Sequence, residues 1–228
     1  MKNKSIILLS GGLDSVLSLA KTLEEYNVQL ALTFNYGQKS FSSELKASKL
    51  VSQYYSIQHQ VIDLPWLANV STSSLNTSDD VPELKISDLD DVSISQKTSD
   101  LVWVPNRNGL FVNIAASIAE ANDFTHIIIG ANAEEGATFK DNSKDFINAI
   151  NNEFKYSINK PLTLIAPYIN NTKEEMVADA KALKVPFEFI YSCYSQNDKH
   201  CGKCESCLRL KRALELNDRH DIINLLFD

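Results

Sequence analysis

No apolar run in these 228 residues approaches the eighteen or so positions needed to span a bilayer. Positive charge is also scarce. Lys and Arg number 22 against 29 Asp and Glu, giving a net charge of −7 and a pI near 5.2. That balance argues against a broad nucleic-acid or membrane-binding surface. A secretory leader is not expected, because the apolar stretch near the start is short. Lys2 and Lys4 precede Ile6-Ile7-Leu8-Leu9, but Ser10-Gly11-Gly12 ends the run after four residues and Asp14 follows. A cytoplasmic protein is therefore expected. Cysteines number only four, all between positions 193 and 207, and in that compartment they favour metal ligation over disulfides. What remains is ordinary: 44% hydrophobic and 22% charged residues suit a globular chain with one large core.

Glycine is sparse too, with seven in the chain, yet two stand together at Gly11-Gly12. They separate a continuous apolar strand, Ile6–Leu9, from a helical pattern with Leu13, Val16, Leu17 and Ala20 on one face. A strand, a glycine turn and a helix start gather unpaired N–H groups and a positive dipole end at one point, which is an anion site. The loop has no Gly-Lys-Ser/Thr and no G-x-G-x-x-G order, so neither common nucleotide-binding loop applies. Ser10-Gly11-Gly12-Leu13-Asp14-Ser15 instead resembles the S-G-G-x-D-S signature of the PP-loop ATP pyrophosphatases. That resemblance implies that Ser10, Ser15 and the amides of Gly11, Gly12 and Leu13 hold phosphates. It also implies that Asp14 positions the metal or the loop.

Downstream, the first helix is expected to run to about Tyr26, followed by a strand over Val28–Phe34. The turn-rich Asn35-Tyr36-Gly37-Gln38 ends that strand. A helix at Ser43–Tyr55 and a strand at Gln58–Leu64 complete the pattern of a parallel α/β sheet. Residues 65–100 are rich in Ser, Thr, Asn and Asp with poor periodicity, and are expected to form an inserted mobile loop. Order returns at Trp103, with Val104-Pro105-Asn106-Arg107-Asn108 opening a helix over Leu110–Ala121. Pro105, and Asn106 or Asn108 as a cap, suit that start. Arg107 opposes the helix dipole, which a bound anion would explain. A strand at His126–Ile129 leads into Gly130-Ala131-Asn132-Ala133-Glu134-Glu135-Gly136. Helical spacing over Asn142–Tyr156, a strand at Leu162–Ala166 and a helix at Thr172–Leu183 follow. Thr172 and Glu175 form a capping box at the start of the last helix.

The cysteines have the spacing C-x7-C-x2-C-x2-C. Cys193, Cys201, Cys204 and Cys207 would fill a tetrahedral zinc site, structural because no position is left for water. An iron–sulfur cluster is the metal alternative, and His200 is a competing nitrogen ligand. Gly202 permits the tight turn between two of the sulfurs.

Loop and cysteines together resemble the 7-cyano-7-deazaguanine synthase family over nearly the whole chain. Ser10–Ser15, residues 35–38, 104–108 and 130–134, Ser192-Cys193-Tyr194 and residues 201–207 occur in the family's order. The resemblance implies a doubly wound parallel α/β domain of the adenine nucleotide α-hydrolase type over residues 1–185. A helical region with a four-cysteine zinc site would occupy 186–228. It also implies an ATP- and Mg2+-dependent ligase, forming C–N bonds, that converts 7-carboxy-7-deazaguanine and ammonia to the nitrile through an acyl-adenylate and an amide. Ser10, Asp14, Ser15 and Arg107 would carry the chemistry, with Tyr36, Gln38 and Asn108 at the nucleotide. Asn106, Arg107, Asn132, Glu135, Phe139 and Asp141 would form the substrate wall. A homodimer is implied. Phe139-Lys140-Asp141-Asn142-Ser143 stands where the family usually has Tyr-Pro-Asp-Cys-Arg, keeping only an aromatic and Asp141, and Glu135 stands where the family has Asp. Two alternatives therefore stay open: a relative that couples the adenylated deazapurine to another amine, a protein partner's included, and a non-enzymatic zinc-ribbon module.

Overall fold

The computed structural model describes residues 2–227. Its centre is β1 (Asn3–Leu8), flanked by β2 (Tyr26–Asn35) and β3 (Gln58–Asp63) on one side. On the other side lie β4 (His126–Ile128) and β5 (Thr163–Ile165). All neighbouring pairs are parallel, in the order β3-β2-β1-β4-β5. The expected doubly wound sheet is therefore present. The order reverses between β1 and β4, and in such sheets the crevice at the carboxyl ends of those two strands is where ligands bind.

The period of two along β1 divides the interior into two cores. Ile7 and Leu9 join one core with Leu17 of α1 (Leu13–Thr22), Val51 of α2 (Phe41–Tyr54) and Val177 of α8 (Lys173–Ala180). Ile6 and Leu8 join the other with Val112 and Ala116 of α5 (Arg107–Ala121) and Ile150 of α7 (Lys144–Ser157). Burial on both faces is what a strand of four consecutive apolar residues requires. The first helix ends at Thr22, because Tyr26 already pairs with Asn3 in the sheet.

Residues 65–100 differ from the structureless loop that their composition suggests. They hold α3 (Pro65–Val70), a 3-10 turn (Ile86–Asp90) and most of α4 (Val92–Val102). Leu67, Leu75 and Val102 are buried in the second core. The periodicity of α4 is hidden by Ser and Thr, poor helix formers, but the Asp91 carboxylate caps its first turn by accepting from Ser93 and Ile94 N–H. The carboxyl-terminal part adds α9 (Glu205–Glu215) and α10 (His220–Leu226). It is continuous with the first core, since Cys193, Cys207 and Leu210 pack in the same cluster as Leu13 and Val16.

Candidate active site and cysteine knuckle

The glycine turn sits at the switch point. Gly11 has φ +83°, and a Cβ there would lie 2.6 Å from the Ala47 Cβ and 2.9 Å from the Ser48 nitrogen. Only glycine combines that backbone conformation with such close approach to α2. From the β4 side, a Cβ on Gly130 would lie 2.6 Å from the Ser15 nitrogen, so the next loop also presses on the opening turn of α1. Within the loop the Ser10 and Ser15 hydroxyls lie 3.2 Å apart, and Gly12 N–H donates to Ser10 Oγ at 3.2 Å. Ser15 Oγ donates to the Gly12 carbonyl at 3.0 Å.

A cavity of about 210 Å³ opens beside this loop. Ser10, Gly12, Leu13, Asp14 and Ser15 form its floor, and Tyr36, Arg107, Asn108, Glu135 and Phe139 lie on its walls. Ten of the expected site residues are thus gathered at one place. The other five are not on its lining. Gly11 and Gln38 are buried; Gln38 braces the turn after β2 by accepting from Tyr36 N–H at 3.0 Å and donating to the Phe34 carbonyl at 3.0 Å. Asn132 caps α6 (Ala133–Thr138), accepting from Glu135 N–H at 3.0 Å. Asp141 stands behind the wall, its carbonyl accepting from Asn108 Nδ2 at 3.2 Å. Asn106 is exposed, with left-handed backbone at φ 51° and no capping bond from its side chain to α5.

Arg107 opens α5 with its guanidinium toward the cavity, donating to the Tyr36 hydroxyl at 3.2 Å. It forms no ion pair with a carboxylate among the described residues. A cation at a helix N-terminus without a direct ion pair is well placed for a ligand carboxylate or phosphate.

Two residues that the sequence did not single out complete the site. Lys173, at the first position of α8, is 3% exposed and donates to Asp14 Oδ2 at 2.9 Å and to Glu135 Oε1 at 2.6 Å. Burial disfavours its charge, but the two carboxylates outweigh that and hold its pKa above the ordinary value. Burial pushes the Asp14 carboxyl up to about 7 against the pull of Lys173. For Glu135 burial acts upward, yet the Lys173 ammonium prevails and the net shift is downward. Lys173 carries the electrostatic oddity that marked Arg107, a cation at a helix start, and that signal would have found it. Glu44, in the first turn of α2, also lines the cavity. It accepts from Ser40 Oγ at 2.5 Å and from Gln38 Nε2 at 2.9 Å.

The four cysteine sulfurs lie within 4.8 Å of one another. Cys201 and Cys207 are separated by 3.8 Å, the edge of a tetrahedron with zinc–sulfur bonds of about 2.3 Å. Backbone N–H groups of Ser195, Lys203 and Cys204 point at these sulfurs at 3.3–3.4 Å, which suits thiolates. The donor set therefore fits a structural zinc ion. His200 is not part of the cluster. Its Nε2 accepts from Ser192 N–H at 2.9 Å, and its Nδ1 lies 3.2 Å from the Leu226 carbonyl, which fixes the tautomer with the proton on Nδ1. Ser192 in turn accepts from Leu13 N–H at 3.0 Å, and Tyr191 N–H donates to the Gly11 carbonyl at 2.9 Å. The knuckle thereby grips the glycine loop.

The family model described as Queuosine biosynthesis protein QueC matches residues 4–218. A 7-cyano-7-deazaguanine synthase of Methanobrevibacter smithii is 45% identical over 97% of this chain and 97% of its own length. The synthase of Carboxydothermus hydrogenoformans is 45% identical over 92% of this chain and 97% of its own. Among solved structures, a predicted subunit of tRNA methyltransferase from Methanocaldococcus jannaschii is similar at TM-score 0.49 and 14% identity, covering 95% of this chain and 88% of that one. With the match spanning both the glycine loop and the cysteine knuckle, the chain belongs to the QueC family.

Proposed function

We infer that this chain is an ATP-dependent 7-cyano-7-deazaguanine synthase, with 7-carboxy-7-deazaguanine and ammonia as its substrates. One observation carries the reading: the S-G-G-L-D-S loop floors a cavity whose wall holds Arg107, in no direct ion pair with a carboxylate among the described residues. A carboxylate is a poor electrophile, so its oxygen first attacks the α-phosphorus of ATP and displaces pyrophosphate. Ammonia then attacks the acyl-adenylate, AMP leaves with that oxygen, and an amide remains. A second ATP activates the amide oxygen, and loss of AMP gives the nitrile.

The residues divide this work by their chemistry. The Ser10 and Ser15 hydroxyls at the start of α1 receive the departing pyrophosphate, whose charge the helix dipole favours. Arg107 orients the substrate carboxylate or the phosphate by charge-assisted hydrogen bonds. Asp14 Oδ1 is buried without a hydrogen-bond partner among the described residues, a donor that fits Mg2+, which would supply charge neutralisation on the triphosphate. Lys173 offsets the repulsion between the Asp14 and Glu135 carboxylates at that point. Cys193, Cys201, Cys204 and Cys207 would hold zinc, supplying rigidity to the residues 191–192 that clasp the loop. Residues 1–185 then perform the chemistry, 186–228 brace it, and a homodimer is the expected assembly.

The altered segment 139–143 supports a second reading, in which the adenylate passes to an amine other than ammonia. Phe139 lines the cavity and stacks on Trp103 with ring centroids 6.4 Å apart, which supports a role for this segment beside the substrate. Incubation with ATP, Mg2+, 7-carboxy-7-deazaguanine and ammonium, followed by mass spectrometry, separates the two. Nitrile with AMP is the expected result. AMP release that stops at the adenylate or amide would favour another acceptor, and no ATP turnover would refute both.

A further inference from the structure

The cavity carries charges of both signs. Arg107 stands on one wall, and Glu44 lies in the same lining with no ion pair to it among the described residues. The Glu44 carboxylate is held by α2 and by the turn after β2. Ser40 Oγ donates to Oε1 at 2.5 Å and Gln38 Nε2 donates to Oε2 at 2.9 Å. Each carboxylate oxygen has two lone pairs, so each keeps one for a further donor. Burial pushes the Glu44 pKa up, while Ser40, Gln38 and Arg107 act to keep it ionised. Around it the lining is aromatic: Phe34 and Phe111 stack at 4.0 Å, and Tyr36 tilts against Phe111 at 5.5 Å. A carboxylate fixed by two donors beside flat apolar walls is a recognition element for a planar heterocycle that presents paired N–H donors.

We propose that Glu44 is the specificity-determining residue for the heterocycle, accepting from the ring N–H and exocyclic amino group of its 2-aminopyrimidin-4-one edge. This rests on the function inferred above. A deazaguanine presents those two donors side by side, matching the two oxygens of one carboxylate. Adenine presents one amino group beside a ring nitrogen lone pair, which repels a carboxylate. Glu44 therefore selects the deazapurine and not the nucleotide base. The arrangement puts a cation, Arg107, and an anion, Glu44, in one cavity for a substrate whose carboxylate and amino edge lie on different rings of one fused bicycle.

Isothermal titration calorimetry tests this without turnover. The titrants are 7-carboxy-7-deazaguanine, its analogue lacking the 2-amino group, and a non-hydrolysable ATP analogue. The intact protein should bind the amino-bearing heterocycle about 10- to 100-fold more tightly than the analogue, the range of one charge-assisted hydrogen bond. Glu44→Gln should erase that preference and leave ATP-analogue affinity within about two-fold. The ligand comparison on the unmodified protein does not depend on the variant folding. Equal affinity for the two heterocycles, with nitrile still formed, would overturn the role of Glu44 and leave the function standing. A loss of ATP-analogue binding alone in Glu44→Gln would reassign it to adenine. Failure of the unmodified protein to bind either heterocycle would refute both.

Discussion

The glycine loop and the cysteine knuckle touch through Leu13 and Ser192, residues 179 apart in the chain, yet they are built on opposite principles. The loop faces a cavity with the Ser10 and Ser15 hydroxyls and keeps an Asp14 oxygen with no partner among the described residues. The knuckle is closed on itself, its sulfurs grouped within 4.8 Å and approached by their own backbone N–H groups. A site that must receive a ligand keeps unsatisfied groups, and the cost is met by a neighbour that has none. That neighbour braces the open site through the Tyr191 and Ser192 contacts.

The sharpest break in this arrangement is Lys173→Met. It leaves Asp14 and Glu135 buried together without their shared cation, and should lower unfolding free energy by about 4 kcal/mol and abolish ATP turnover. Urea denaturation and pyrophosphate release read the two effects, and an unchanged midpoint would show that the open site needs no internal compensation. Next comes Cys207→Ser. Zinc content by atomic absorption should fall from one per chain, with a loss of about 3 kcal/mol. ATP affinity should weaken with it, since the knuckle holds Gly11 and Leu13. Retained ATP affinity after zinc loss would separate the two regions.

Gly11→Ala probes the loop itself. A Cβ at φ +83° against Ala47 and Ser48 should cost about 2 kcal/mol and raise KM for ATP. The smallest effect comes from His59, whose Nε2 contacts Thr33 Oγ1 at 2.8 Å while that hydroxyl donates to the Leu9 carbonyl just before the loop. Burial lowers the His59 pKa from its ordinary 6.5. The unfolded chain therefore binds more protons in the window just below that value, and stability falls as pH drops through it. Asp14, raised to about 7, acts in the opposite sense over the same range, so the readout is the difference between the intact protein and His59→Gln: the variant should lose less melting temperature on acidification below pH 6.5 than its parent.

What the sequence made legible was whatever is encoded locally. Ile6–Leu9 and Ser10–Ser15 state strand, turn and helix within a few residues of one another, and the cysteine spacing states a tetrahedral site. Arg107 stood out because its charge opposes its own helix. Lys173 carries the same sign at the start of α8, but its role is set by Asp14, 159 residues away, while Glu44 looks like an ordinary acidic residue in the first turn of a helix until the fold turns it into the cavity. Residues 65–100 were illegible for a related reason. Ser and Thr disguise α4, whose stability comes from a cap at Asp91 and burial of Val102 rather than from propensity.

Oxygen tracing tests the adenylation chemistry most directly. 7-Carboxy-7-deazaguanine labelled with 18O in both carboxyl oxygens is incubated with ATP, Mg2+ and ammonium, and the AMP is analysed by mass spectrometry. The account predicts two AMP per nitrile, each carrying one 18O in its phosphate. Unlabelled AMP, or ADP and phosphate in its place, would contradict it.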